Sequence, residues 1–241
     1  MRVSRFFVEN INNLVIENEE FHHLKKVLRK EEGDKIEVLN GKGVKIIGYI
    51  KKIYSDYAEI EKEQLIEQEK PDFHLSVCIA FLPSDKLNFV VRKLTEIGVS
   101  SINIFPSLYS KIDKIKGNIE KKHKKLRNVA ISAIKQSGNL FLPEINILKK
   151  FNDIFDMEYD LKILLSQNGE YLIKSGMFVC DNKFSVCLTV GAEGGFSTEE
   201  IELFKKNNFM ECKINTNTLR SETAAISGAL LIKYLSEFQC F

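Results

Sequence analysis

Apolar and polar positions alternate in KIEVL (35–39) and YAEIE (57–61), the period-2 signature of half-buried strands. SRFFV (4–8) and VKIIGYIKKI (44–53) extend the set, and the glycines of the intervening GKG (41–43) supply the turn of a hairpin. Between the first two strands, EEFHHLKKVLR (19–29) places Phe21, Leu24, Val27 and Leu28 at helical spacing, which predicts one helix. Residues 1–70 therefore read as a small, mostly β domain carrying one helix. The polar stretch EKEQLIEQEKPD (61–72), ending near Pro71, reads as the linker.

The pattern changes after it. HLSVCIAF (74–81), SINIFP (101–106), LKILL (161–165), FSVCLTVG (184–191) and MECKI (210–214) are short apolar runs. They are separated by helical patterns at 84–98, within 116–137, from 198 and from about 222. Strands that are apolar at nearly every position, alternating with helices, predict a parallel sheet covered on both faces. Residues 71–241 are thus read as an α/β domain.

Composition supports a folded two-domain chain of 241 residues, with 44% hydrophobic and 28% charged residues. No apolar run approaches a membrane span and no N-terminal signal segment is evident, so a cytoplasmic protein without membrane association is expected. The five cysteines (Cys78, Cys180, Cys187, Cys212, Cys240) form no C-x-x-C pair; they read as reduced, mostly buried thiols, and no metal site is expected. The net charge of +2 hides an asymmetry: nine Lys/Arg against thirteen Asp/Glu from residue 150 onward leave that part at −4 and residues 1–149 at +6. Residues 111–127 hold eight Lys/Arg against two acids, and HHLKKVLRK (22–30) holds no acid. Such clusters suit a polyanion such as RNA, although each also fits a solvated helix face.

Two late loops carry the candidate chemistry. In VGAEGGFSTEEI (190–201), Ser197 and Glu200 form an S-x-x-E capping box, which makes 191–196 a glycine-rich strand-to-helix turn. In a parallel sheet such turns lie where ligands bind, though glycines also serve plain tight turns. The order G-A-E-G-G so close to the chain end does not match a dinucleotide fingerprint, and no P-loop motif occurs. In INTNTLRSETAAISGALL (214–231), a polar loop leads through Arg220 into a helix start at Ser221 and Glu222, followed by the small residues Ala224, Ala225, Ser227, Gly228 and Ala229. An apolar, small-sided helix predicts burial, with a subunit interface as one possible partner.

The pairing of G-x-E-G-G-F-S-x-x-E-I with L-R-S-E-T-A about 20 residues later resembles the C-terminal signature of the RsmE family, SPOUT methyltransferases that make N3-methyluridine in small-subunit ribosomal RNA. His23-Leu24-x-x-Val27-Leu28-Arg29, KLNFVVRKLTEIGVSSINIF and KKLRNVAISAIKQSGNLFLPEI resemble further segments of that family in order and spacing, so the likeness spans nearly the whole chain. Five positions differ: Ala192 stands where the family has proline, Asn215 where it has glycine, Asn217 and Asn139 where it has arginine, and Lys135 where it has an acid.

The resemblance implies an N-terminal PUA-like β-barrel for RNA over 1–70 and a SPOUT α/β domain with a trefoil knot over 71–241. It further implies S-adenosylmethionine as cofactor, 16S ribosomal RNA or the small ribosomal subunit as partner, and a homodimer through the knot helices. Cofactor contacts are expected at Leu165 and Ser166, at Val190, Gly191, Ala192, Glu193, Gly194 and Gly195, and at Ile214, Asn215, Thr218, Leu219, Glu222 and Thr223. Arg220 is the residue expected to orient or stabilise the uridine; Glu193 is a second catalytic candidate, as a base, but a carboxylate in a glycine turn is better suited to orienting its own loop or accepting backbone N–H bonds. RNA contacts are expected at Arg5, His23 and Arg29 and at Lys121, Lys122, Lys124 and Lys125. A binding protein that keeps the fold without transfer activity, or a methyltransferase for another RNA site, would share these features.

Overall fold

The computed structural model describes residues 3–110, 118–178 and 183–237. Arg2, the start of the basic segment at 111–117, Cys180 and Cys240 lie outside the described residues. The chain divides into two compact units: the first comprises Met1–Lys70 with Ile131–Leu142, the second Pro71–Ala130 with Pro143–Phe241.

In the first unit, β1 (Ser4–Phe7), β2 (Val15–Glu17), β3 (Lys35–Leu39), β4 (Val44–Ile53) and β5 (Tyr57–Glu67) form one sheet in the order β1-β3-β4-β5-β2. Only the β1–β3 pair is parallel. The alternating positions Ile36 and Val38 point into a core with Phe6, Ile16, Leu24, Ile46 and Ile50. Burying each such side chain contributes about 1.5–3 kcal/mol, so the inward face fixes the register.

Two expectations need correction here. The stretch 61–72 is not all linker, because β5 runs to Glu67 and pairs with β4 from Ala58 to Glu67. EKEQLIE carries no apolar alternation because this half of the strand is largely exposed, and main-chain bonds to β4 hold it instead. The helix at 18–27 also differs. It starts as α1 (Asn18–His22) and widens into a π turn over His23–Val27, closed by Leu28 N donating to His23 O at 2.9 Å. That extra residue per turn breaks the 3.6-residue stripe, so Phe21 and Leu24 are buried while Val27 and Leu28 are exposed.

Residues 139–142 also belong to this unit. Gly43 N donates to Leu140 O at 3.0 Å and Leu142 N to Gly41 O at 2.9 Å.

The second unit is built on a seven-stranded sheet in which every pair is parallel. Its strands are β6 (Phe73–Ala80), β7 (Ser101–Phe105), β8 (Glu144–Ile147), β9 (Leu161–Leu165), β10 (Tyr171–Leu172), β11 (Phe184–Val190) and β12 (Met210–Lys213). They lie in the order β10-β12-β9-β11-β6-β7-β8. Its helices are α2 (Ser84–Ile97), α3 (Ile119–Ser137), whose last turns belong to the first unit, α4 (Thr198–Lys206) and α5 (Ser221–Glu237).

Strand alternation sorts the two faces. Cys187 and Cys78 face a cluster with Phe105, Leu164, Phe204 and Phe209, beneath α4. Leu188 faces α5, where a Cβ on Gly228 would stand 2.8 Å from Leu188 Cδ2. The small residues of α5 therefore serve close packing on this chain's own sheet: Ala225, Gly228 and Ala229 are buried without any partner chain. Leu230 and Tyr234 of the same helix are exposed. Cys78, Cys187 and Cys212 are buried free thiols, as the sequence suggested for the described cysteines.

Candidate active site

The carboxyl ends of three adjacent strands, β12, β9 and β11, open into a cleft of about 710 Å³. Its walls are Leu165 and Ser166 at the end of β9, Val190, Gly191, Ala192, Glu193, Gly194 and Gly195 at the end of β11, and Ile214, Thr218 and Leu219 after β12. Three segments distant in sequence thus meet where a parallel sheet offers backbone groups to a ligand. Gln167 and Asn168, from a loop whose sequence pattern is weak, line the cleft too, as do Phe196 and Ser221. Asn215, Glu222 and Thr223 adjoin the cleft in sequence and are not among its lining residues.

The glycine-rich turn is held from several directions. Gly195 N donates to Ala192 O at 2.8 Å, and Gly195 adopts φ +72°, which a side chain would strain. That bond uses the carbonyl of residue 192, which a proline would also offer, so Ala192 leaves the turn closed. Phe196 then inserts its ring into the aromatic cluster, 5.0 Å from Phe204 and stacked on Phe105 at 6.3 Å. The capping box is formed: Glu200 N donates to Ser197 Oγ at 3.2 Å, and Ser197 N to Glu200 Oε2 at 3.0 Å. The other oxygen of buried Glu200 accepts from Leu108 N at 2.8 Å.

Glu193 is not a free carboxylate. Its Oε1 accepts from Lys86 Nζ of α2, and the same ammonium lies 3.3 Å from Glu222 Oε1. Lys86 therefore joins the glycine-rich turn to the first turn of α5. The Glu193 carboxylate, followed by Glu222, raises the Lys86 pKa, so the ammonium stays charged at neutral pH. The second oxygen of Glu222 is buried and has no hydrogen-bond partner among the described residues. Lys86 escaped sequence reasoning because it is 107 positions from Glu193 on an ordinary amphipathic helix, and no local pattern marks it.

The polar loop is built more loosely. Asn215, Thr216, Asn217, Thr218 and Arg220 are exposed. Within it Thr216 N donates to Ile214 O at 2.8 Å and Thr216 Oγ1 to Asn217 O at 3.0 Å. Arg220 is fixed through its backbone, whose carbonyl accepts from Ala224 N at 2.8 Å as α5 begins, and the residue is exposed.

The RNA candidates divide. Arg29 is exposed at φ +49°, and Lys121, Lys124 and Lys125 are exposed on α3. His23 is half-buried, tilted against Phe6 at 6.1 Å, and its buried Nδ1 has no hydrogen-bond partner among the described residues. The Lys122 ammonium sits 4.7 Å from the centre of the Phe81 ring, and burial lowers its pKa. Arg5 does not project as a free cation. Its Nε donates to Glu37 at 2.7 Å and its Nη1 to the carbonyls of Lys135 and Gln136 at 3.2 and 3.1 Å. Lys135 is tied nearby to Glu20 at 2.5 Å, which accounts for a base at that position in this chain.

The chain is similar to known proteins. A family model described as RNA methyltransferase domain matches residues 68–233, and one described as RNA methyltransferase PUA domain matches 16–63. The ribosomal RNA small subunit methyltransferase E 2 of Borreliella burgdorferi is 33% identical over 223 residues, covering 90% of this chain and 89% of that protein. This chain belongs to the ribosomal RNA small subunit methyltransferase E family. Its counterpart in Buchnera aphidicola subsp. Schizaphis graminum is 30% identical over 246 residues, covering 97% of each chain. Among solved structures, the family member from Neisseria gonorrhoeae bound to S-adenosyl methionine superposes with a TM-score of 0.84 at 21% identity, covering 97% of this chain and 98% of that one. The parallel-sheet SPOUT fold and the PUA domain expected from sequence are therefore those of the family. No helix among the described residues is long and apolar enough to cross a membrane, and no group of three His, Cys, Asp or Glu residues there could hold a metal ion.

Proposed function

We propose that this protein methylates N3 of a uridine in 16S ribosomal RNA, in the small ribosomal subunit, with S-adenosylmethionine as donor. The observation that carries the reading is the convergence of 165–166, 190–195 and 214–219 on one cleft at the carboxyl ends of β9, β11 and β12. Its volume of about 710 Å³ lies in the range of small-molecule sites, roughly 300–1,000 Å³. The apolar side chains of Leu165, Val190, Ile214 and Leu219 beside strand-end backbone suit an adenine, while Ser166 and Thr218 offer hydroxyls to polar groups.

The cofactor supplies a methyl group on a sulfonium that is its own leaving group, so the protein's part is to position and desolvate the reactants. With the cofactor bound, the methyl group would pass from the sulfonium, left as a neutral thioether, to N3, and the N3 proton would pass to solvent water. Arg220, at the rim of the cleft, is the cation that meets the negative charge spread over O2 and O4 as that proton leaves. Glu193, paired with Lys86, holds its turn in place instead of serving as the base.

Residues 1–70 then serve as the RNA-binding domain and 71–241 as the transferase. His23, Arg29, Lys121, Lys124 and Lys125 contact RNA, with Arg5 holding 135–136 in shape. Insertion of β11 between the earlier strands β9 and β6 supports a knotted path for the chain end. Exposed Leu230 and Tyr234 on α5, with Phe89 on α2, support a homodimer through these helices. A ribosomal RNA substrate supports a cytoplasmic location.

Nucleoside analysis of 16S RNA from a deletion strain tests the reading, with loss of one N3-methyluridine as the expected result. Persistence of that nucleoside would assign another RNA site. Absence of S-adenosylmethionine binding in calorimetry, with and without RNA, would leave a binding protein that does not transfer methyl groups.

A further inference from the structure

The turn that follows β7 presents two large side chains to solvent. Leu108 is 64% and Tyr109 50% exposed. The turn beneath them is rigid. Ser110 N donates to Ser107 O at 3.0 Å, Ser107 N donates to Ser110 Oγ at 3.1 Å, and both serines are buried. Leu108 N is anchored on Glu200, the capping residue of α4. Tyr109 is therefore an ordered aromatic held outward at a hydrophobic cost that the core does not recover.

Its position relates it to the cleft. A Cβ on Gly194 would lie 3.2 Å from both Cβ and Cγ of Tyr109 and 3.3 Å from Cδ2, so the ring packs directly on the glycine-rich turn. Gly194 is also a wall of the cleft. One residue thus separates the cofactor cleft from an exposed aromatic face. A base that is to be methylated at a ring nitrogen must leave its stack and be held against something flat, and exposed aromatic side chains are the usual platform for an unstacked base.

We propose that Tyr109 is a substrate-binding residue on which the target nucleobase of the RNA stacks beside the methyl donor. Gly194 lacks a side chain so that this platform can close on the cleft wall. The inference rests on the RNA methyltransferase reading and adds the residue that receives the base.

Three variants test it. Tyr109→Ala should raise the RNA concentration needed for half-maximal single-turnover methylation about 10-fold, since stacking one base on an aromatic is commonly worth that much. Its affinity for S-adenosylmethionine should stay at the wild-type value, and Tyr109→Phe, which keeps the ring, should behave as wild type. The chain contains no tryptophan, so Tyr109→Trp introduces a single fluorophore. Its emission should be quenched by a single-stranded uridine-containing oligonucleotide and not by the cofactor alone. Wild-type RNA dependence in Tyr109→Ala, equal damage in Tyr109→Phe, or emission unmoved by bound oligonucleotide would overturn the proposal. So would loss of a dimer in sedimentation of Tyr109→Ala, which would make the ring a subunit contact. Failure of the wild-type protein to methylate small subunits from a deletion strain would instead count against the enzymatic reading, while the quenching would still report on stacking.

Discussion

The two loops that wall the cleft are built to different standards. The glycine-rich turn is fixed by its own hydrogen bond, by Phe196 in the aromatic cluster, by the capping box and by Lys86. The polar loop at 215–220 lies exposed apart from the half-buried Leu219, with short local bonds and a single tie to the start of α5. These ties give the first loop one conformation before any ligand arrives, although Glu193, Gly194 and Gly195 are exposed, whereas the second can be reshaped by what it binds. Under the proposed function the difference would separate two tasks: the first loop would pre-organise the cofactor site, and the second would bring Arg220 to the RNA. Pre-organisation lowers the ordering cost of binding, and adjustability lets a charged residue follow a substrate.

The strongest way to break this contrast is to remove the anchor of the rigid loop. Phe204 lies within 5.0 Å of Phe196 and 4.9 Å of Phe209 and is fully buried. Phe204→Ala should destabilise the protein by about 3–5 kcal/mol in urea unfolding, as large-to-small aromatic changes in cores do. A loss below about 1 kcal/mol would mean that the cluster does not anchor the turn. In the adjustable loop, Arg220→Ala should leave stability intact and lower single-turnover methylation about 100- to 1,000-fold, the usual effect of deleting a group that stabilises developing negative charge. Cofactor affinity measured by calorimetry should stay within a few-fold, and equal losses in rate and affinity would refute a role specific to the transition state.

The same contrast explains what could be read in advance. Elements whose side chains carry their own burial pattern were legible: β6, β7, β9 and β11 as apolar runs, α2 as an amphipathic helix, and the capping box as a local motif. The second half of β5 was not, because an exposed strand held by main-chain bonds leaves no alternation in its side chains. Val27 and Leu28 share helical spacing with Phe21 and Leu24 yet lie exposed, because a π turn changes the period on which the reading rests. The small residues of α5 correctly signalled close packing, and only the structure identified this chain's own sheet as the surface packed against. Arg5 looked like a free cation because its partners, the carbonyls of 135 and 136, are 130 residues away. The cleft was largely legible because its walls are strand-end loops that follow recognisable strands, while Lys86 was hidden because it acts only through folding.

Two smaller perturbations sharpen the comparison. Ser197→Ala should cost about 1 kcal/mol, the ordinary worth of an N-cap, and should also weaken cofactor binding because the capping box ends the turn. Lys86→Met should have a small effect on stability through Glu193, which is 46% exposed, the larger part of its cost coming from Glu222, which is 14% exposed and loses its cation. It should weaken cofactor affinity by up to about five-fold, because it releases the glycine-rich turn from α5. In a double-mutant cycle, Glu193→Gln added to Lys86→Met should cause little further loss, whereas additive losses would mean that the two residues act separately. A group whose pKa is raised by folding contributes its stabilisation below the ordinary lysine range and loses it only as pH rises through the raised value. Wild-type cofactor affinity should therefore show no inflection from this pair between about pH 6 and 9. An inflection in that window that disappears in Lys86→Met would give the lysine a titrating role in place of a fixed tie between the two walls.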